Sequence, residues 1–361
     1  MKIDILGKRV KKLRKMLVQK GLDALLITGG ADVSYLSGFK GDDSMLVLGK
    51  KDVWLVTDSR YTLQAKEECR GCKIYERKGA MTEAIADVLK KIQAIKTIAV
   101  EDNIKLSSFN LLKKKIHCRI KPVRNFVLTV RQIKDDAEIR AIKKAAALAQ
   151  ESLNKILPKI RAGISEVEVA AILEFEMKRR GAVPAFETIV AFGNNSAKPH
   201  HRPTARKLKK IDTVLIDYGA KLGSYCSDST RCFAVGRVSD FYTKVYKTVF
   251  EAQKAAIKAI KAGVQAKDAD NIAKEIINES KLPPYGHGLG HGVGLEVHER
   301  PVVSVLSKDI LQKGNVITIE PAVYLAGKFG IRIEDDVVIT EKGCEILTTL
   351  LKSDKVPLLK I

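Results

Sequence analysis

The chain holds six histidines in 361 residues, and three of them fall within Gly286-His287-Gly288-Leu289-Gly290-His291-Gly292-Val293-Gly294-Leu295-Glu296-Val297-His298-Glu299. Imidazole is the side chain whose ordinary pKa lets it move protons near neutral pH, and its neutral form is a common metal ligand. So dense a cluster therefore points to metal or proton chemistry. His287, His291 and His298 are spaced i, i+4, i+7, the spacing of one helical face. Glycine at every second position from 286 to 294 argues against a helix, since each costs about 1 kcal/mol in a helix interior. The alternation predicts a glycine-rich extended loop feeding a short strand, Leu295 to His298, with backbone free to approach a ligand or cluster. The competing reading is a flexible loop with chance histidines.

A second set of residues weighs against chance. Asp217 ends the apolar run Val214-Leu215-Ile216, and Asp228 opens Ser229-Thr230-Arg231, with Gly219 and Gly223 between them. This is the pattern of a hairpin that sets two carboxylates at one level. Glu320 closes Val316-Ile317-Thr318-Ile319, and Glu334 lies within Ile331-Arg332-Ile333-Glu334-Asp335-Asp336-Val337. An acid in such a run is costly to bury unless it is paired or bound to a cation. Four carboxylates and His291 make a set of oxygen and nitrogen donors suited to Mn²⁺, Co²⁺ or Zn²⁺. A pair of such ions, about 3.5–4 Å apart, would neutralise the acids and activate a bridging water.

Elements that could position these groups are legible along the chain. The length suggests two domains. Residues 1–125 read as an α/β domain: a helix over 7–20 with Val10, Leu13 and Leu17 inward, a strand over 22–28, strands at 45–48 and 53–57, helices near 60–69, 81–93 and 107–115, and strands at 97–100 and 119–123. Residues 126–361 read as an α+β domain. Asp135 and Asp136 open a long helix striped by Ile139, Ile142, Ala146, Ala149, Leu153 and Ile156, and Ser165 with Glu168 forms a capping box for a second. Strands follow over 187–236, two helices near 240–261 and 267–280, and strands again over 302–350. The two similar successions suggest an internal duplication, although no sequence repeat is evident.

Composition excludes several classes. No apolar run approaches the ~18 residues of a membrane span, and the basic N-terminus lacks the apolar core of a secretory signal. The expected location is the cytoplasm. The balance of 64 basic to 42 acidic residues gives a net charge of +22. The excess is spread along the chain as lysines on solvated helix faces, such as Lys8, Lys11, Lys12 and Lys15, without interleaved aromatics, so nucleic acid is not the expected partner. Cys69 and Cys72 have an interesting spacing, but no second pair or nearby histidine completes a zinc site. All six cysteines read as structural or incidental thiols.

The motifs taken together resemble the pita-bread metallopeptidase family, which includes methionyl aminopeptidases, Xaa-Pro aminopeptidases and Xaa-Pro dipeptidases. Asp217, Asp228, His291, Glu320-Pro321 and Arg332-Ile333-Glu334-Asp335 carry the resemblance in the catalytic region. Tyr35-Leu36-Ser37-Gly38-Phe39 and Thr57-Asp58-Ser59-Arg60-Tyr61 resemble the creatinase-like N-terminal domain of the proline-specific branch. The resemblance implies two divalent ions, most expectedly Mn²⁺ or Co²⁺. Asp217 would chelate one, His291 and Glu320 the other, and Asp228 and Glu334 would bridge both. It further implies that Glu320 is the general base, that His298 steadies the scissile carbonyl, and that His200 (in preference to His201) and His287 line the substrate cleft. Arg332 and Thr230 would support the ligands from behind. Ala322 and Cys232 stand where the family usually has glycine and threonine, and neither change removes a ligand. The length of the N-terminal domain and His287 disfavour a methionyl aminopeptidase, and the full ligand set disfavours creatinase and the binding-only relatives. The expected activity is that of an Xaa-Pro aminopeptidase acting on peptides with proline second, with Xaa-Pro dipeptidase (prolidase) as the alternative. The expected assembly is a homodimer.

Overall fold

The computed structural model describes residues 5–92, 94–349 and 351–359. The chain divides into two compact units between Arg131 and Gln132, later than residue 125, so the short helix Leu128–Arg131 belongs with the first. In the first unit, strand Ala24–Ile27 is central to a six-stranded sheet. It pairs antiparallel with Met45–Gly49 and parallel with Thr97–Glu101. Leu26, Val47, Val56, Ile98 and Val100 pack under the helix Met81–Lys91, whose Ile85 and Val88 face them. The first helix, Ile5–Gln19, buries Val10, Leu13 and Leu17 and turns Lys8, Lys11, Lys12 and Lys15 to solvent. This is the amphipathic pattern that the spacing predicts.

The second unit shows the expected duplication. Helices Asp136–Ile156 and Glu166–Lys178 precede a sheet that is antiparallel but for its edge strand Leu358–Leu359, and helices Asp240–Ala259 and Ala266–Glu279 precede an antiparallel one. The capping box at Ser165 forms as expected, and a second one, not expected, forms at Asp135: Asp135 accepts from the Glu138 N–H and Ser165 from the Glu168 N–H, and each glutamate reaches back to its cap residue. The inter-helix turns repeat in detail. Gly163 (φ +94°) donates to the Leu208 carbonyl, and Gly263 (φ +90°) donates to the Leu311 carbonyl, both at 2.8 Å. Ala162-Gly163-Ile164 and Ala262-Gly263-Val264 are thus a short repeat in the sequence itself, set by a left-handed turn that glycine adopts without strain. With Ile160-Arg161 and Ile260-Lys261 before it the repeat is still only five residues long, so a search for extended self-similarity passes over it.

The first sheet joins Ile189–Phe192, Asp212–Tyr218 and Ser229–Val235, and the second joins Glu299–Val303, Gly290–Gly292, Val316–Ile319, Asp335–Ile339 and Cys344–Ile346. A separate hairpin pairs Ala322–Leu325 with Phe329–Arg332. Among the described residues no helix is long and apolar enough to cross a membrane.

Candidate active site

The carboxylates arrive where strands end. Strands Asp212–Tyr218 and Ser229–Val235 are antiparallel with Thr230 opposite Asp217, which sets Asp228 just beyond the paired segment. A further small hairpin, Ala220–Leu222 with Tyr225–Cys226, fills the connection. Glu320 follows strand Val316–Ile319, and its N–H donates to the Leu289 carbonyl at 2.8 Å. Glu334 lies between Arg332 and strand Asp335–Ile339, its N–H on the Thr230 carbonyl at 3.2 Å. The sheets thereby bring groups more than a hundred residues apart to one place.

The glycine-rich stretch differs from its expected form. The strand is Gly290–Gly292, which carries His291, and the next begins at Glu299; Leu295 to His298 are not strand. The register shifts between His291 and Gly292, and the Gly294 N–H folds back onto the Glu296 carbonyl at 3.0 Å, so the chain turns there. Gly288 and Gly290 line the cavity as expected, but the alternation has a second cause. A Cβ on Gly290 would strike the Thr318 carbonyl, and one on Gly292 the Arg300 carbonyl. The glycines let three strands close around His291.

A cavity of about 690 Å³ opens over these groups, lined by Asp217, Asp228, His291, Glu320, Glu334 and Arg332, together with His200, His287 and His298. The His291 Nε2 atom lies 3.4 Å from Glu320 Oε1 and 3.7 Å from Asp228 Oδ2. One donor atom each from Asp228, His291 and Glu334 falls within 4.8 Å of the other two. Burial, then the charge of the neighbouring acids, pushes Asp228 and Glu334 well above the usual carboxylate range, and burial pushes Glu320 up to about 8. Burial and His298 depress His291 to about 4, so it is neutral at physiological pH with a free electron pair. Acids this crowded ask for cationic charge.

Residues 140–341 match Metallopeptidase family M24, and residues 9–133 match the Creatinase/Prolidase N-terminal domain. The chain belongs to metallopeptidase family M24. It is 36% identical over 351 residues to the Xaa-Pro dipeptidase of Pyrococcus horikoshii, covering 96% of this chain and 98% of that protein. Among solved structures it resembles the Xaa-Pro dipeptidase from Bacillus anthracis (TM-score 0.94, 35% identity, 98% of this chain and 100% of that one). It also resembles the X-Pro aminopeptidase from Thermotoga maritima (TM-score 0.88, 39% identity, 96% and 99%). The proline-specific, pita-bread affiliation and the creatinase-like first domain stand with these matches.

The residues present fit the divalent ions of an M24 metallopeptidase. Asp217 Oδ1 is buried and has no hydrogen-bond partner, an orphan that costs several kcal/mol unless a cation meets it. Its other oxygen, Oδ2, takes the Arg332 guanidinium at 2.5 Å. Thr230, wholly buried, donates to Glu334 Oε2 at 2.6 Å and accepts from Arg332 Nε at 3.0 Å. His200 is exposed on the cavity wall, whereas His201 is buried with Nε2 2.9 Å from Glu166 Oε2. His287 contacts the Tyr324 hydroxyl at 3.2 Å, and His298 packs its ring 4.2 Å from that of His291.

Several supporting groups escape a reading of sequence alone. Tyr324 joins His287 to Arg332, whose Nη1 donates to its hydroxyl at 2.7 Å, because the hairpin Ala322–Leu325/Phe329–Arg332 sets the two strands face to face. Asp336 Oδ2 accepts the Asp228 N–H at 2.9 Å. Buried Arg231 clamps the Glu334 carbonyl and Asp335 Oδ1. Thr318 Oγ1 accepts the His291 N–H at 3.1 Å and lies 3.3 Å from Glu320 Oε1. Thr318 and Asp336 had a local signal, each lying two residues from a candidate ligand, Glu320 and Glu334.

Proposed function

We propose that the chain is an Xaa-Pro dipeptidase, splitting dipeptides that end in proline. The observation that carries this is full-length similarity to proteins named Xaa-Pro dipeptidase, joined to a complete set of donors in one cavity. This reverses the preference for an aminopeptidase drawn from sequence. The cause is that the side chains around the cleft come from distant parts of the chain, so neither motif nor spacing reports on which of them separates the two activities. The aminopeptidase remains the second reading, favoured by the likeness to the Thermotoga maritima enzyme.

In this reading Asp217, Asp228, His291, Glu320 and Glu334 would hold the two ions between them. Two divalent cations so held supply Lewis acidity and a water acidic enough to attack at neutral pH. The chain's own residues do the rest. The Glu320 carboxylate, 3.4 Å from His291 at the floor of the cavity, would receive the proton of the attacking water. His298 stands beside His291 as a donor to the scissile carbonyl, where developing negative charge is stabilised most. His200 and His287 flank the substrate. A proline nitrogen has no hydrogen and its ring fixes φ, so the cleft must accept a shape that general peptidases exclude. Placement in the cytoplasm and a homodimeric assembly belong to the same proposal; free thiols at all six cysteines suit a reducing compartment.

The test is hydrolysis of Ala-Pro against Ala-Pro-Ala by chelator-stripped protein after Mn²⁺ or Co²⁺ is restored. Metal-restored cleavage of Ala-Pro with little of the tripeptide supports the dipeptidase. Efficient cleavage of Ala-Pro-Ala selects the aminopeptidase, and cleavage of neither refutes both.

A further inference from the structure

The groups described so far attack a peptide bond, but none of them holds the free carboxylate that distinguishes a dipeptide from a longer chain. The acids repel such a group. Three side chains of fixed positive charge line the cavity: Arg202, Lys274 and Arg332. The Arg332 guanidinium is already committed to Asp217, Thr230, Tyr324 and the Pro199 carbonyl. The Arg202 side chain is 83% exposed and is paired with the exposed Glu187, at 3.5 Å. Ordering it on a ligand would cost much of its rotamer freedom.

Lys274 is different. It projects from helix Ala266–Glu279 with its side chain 20% exposed, its Nζ 3.0 Å from Asp270 Oδ2 and 3.5 Å from the His287 carbonyl. The ammonium also lies 5.0 Å over the Tyr285 ring. Asp270 is fully buried and is fixed in turn by the Tyr285 hydroxyl at 2.7 Å and the Val305 N–H at 2.8 Å. The lysine head is therefore held in place before any substrate arrives, and such preorganisation strengthens a charged contact. An ammonium has three donors, and those two oxygens leave one for the cavity. The residue whose carbonyl it touches, His287, is itself part of the cavity wall.

A dipeptide is a zwitterion, with its ammonium attracted to the acids and its carboxylate in need of a cation apart from them. We infer that the Lys274 ammonium receives the free C-terminal carboxylate of the substrate and thereby sets a preference for dipeptides over longer peptides. This rests on the dipeptidase reading.

The experiment compares wild type, Lys274→Gln, Lys274→Arg and Arg202→Gln on Ala-Pro and on Ala-Pro amide, which lacks the terminal charge. A hydrogen bond between charged groups is lost in Lys274→Gln, so KM for Ala-Pro rises about ten- to a hundredfold, with KM for the amide unchanged. Lys274→Arg retains most of the preference for the free acid, and Arg202→Gln leaves it intact. A merely structural lysine would shift both substrates alike, and that result overturns the assignment. So does loss of the free-acid preference in Arg202→Gln in place of Lys274→Gln. Wild type that cleaves Ala-Pro without responding to Lys274→Gln sinks this inference alone. Wild type that cleaves Ala-Pro-Ala and spares Ala-Pro sinks the dipeptidase reading, and this assignment with it.

Discussion

Thr230 offers the cleanest perturbation of the ligand cage. Its hydroxyl is wholly buried and joins a carboxyl to a guanidinium, donating to Glu334 at 2.6 Å and accepting from Arg332 at 3.0 Å. Thr230→Val keeps the volume and the β-branch but removes both bonds. A hydrogen bond to a charged group is worth about 1.5–3 kcal/mol. Arg332 retains Asp217 and Tyr324 as partners, so most of the loss falls on Glu334, and a total of about 3 kcal/mol is expected. For a unit the size of residues 132–361, that lowers the melting temperature of the metal-free protein by about 6–12 °C. Loss of a group that orients a ligand also weakens metal binding about 10–100-fold. Calorimetric melting and isothermal titration with Mn²⁺ read the two effects separately. Thr230→Ser, which keeps the hydroxyl, should lie close to wild type in metal affinity. A Thr230→Val protein that melts and binds Mn²⁺ like wild type would refute the reasoning, as would a serine variant as impaired as the valine one.

Two further expectations follow from individual groups. Glu320→Ala would remove both a proposed ligand and the proposed proton acceptor, so turnover of Ala-Pro is expected to fall at least about 10³-fold in a steady-state assay; near-normal activity would displace Glu320 from its role. In the first unit, burial and the neighbouring Asp32 push Glu101 up to about 8 from an ordinary 4.5. The folded state then holds this proton more tightly than the unfolded state, so its stabilisation is complete below about 4.5 and is lost as pH rises through about 8. Melting temperatures across that range should fall more steeply for wild type than for Glu101→Gln, and parallel profiles would contradict the shift.

What the sequence discloses depends on whether a cost is local. An acid at the end of an apolar run reports its own burial, which is why Asp217, Asp228, Glu320 and Glu334 stand out before any fold is known. The rare, clustered histidines do the same for His291. The capping box at Ser165 is likewise contained in four residues. The remaining parts depend on pairings distant in the chain. Tyr324 matters because of a hairpin partner, Asp336 because it meets the N–H of Asp228, and Lys274 because its helix stands behind His287. No periodicity marks Tyr324 or Lys274. The glycine-rich stretch misleads for a related reason. Its alternation looks like strand pattern up to His298, yet the Gly294 turn that interrupts it is closed by contacts from Cys226 and Glu296.

Titration of chelator-stripped protein with Mn²⁺, following Ala-Pro hydrolysis and bound metal together, tests the proposed metal-dependent dipeptidase most directly. The five proposed ligands predict negligible activity in the stripped protein and a rise that saturates at about two ions per chain. Full activity without metal, or hydrolysis that ignores Mn²⁺ and Co²⁺ alike, would contradict it.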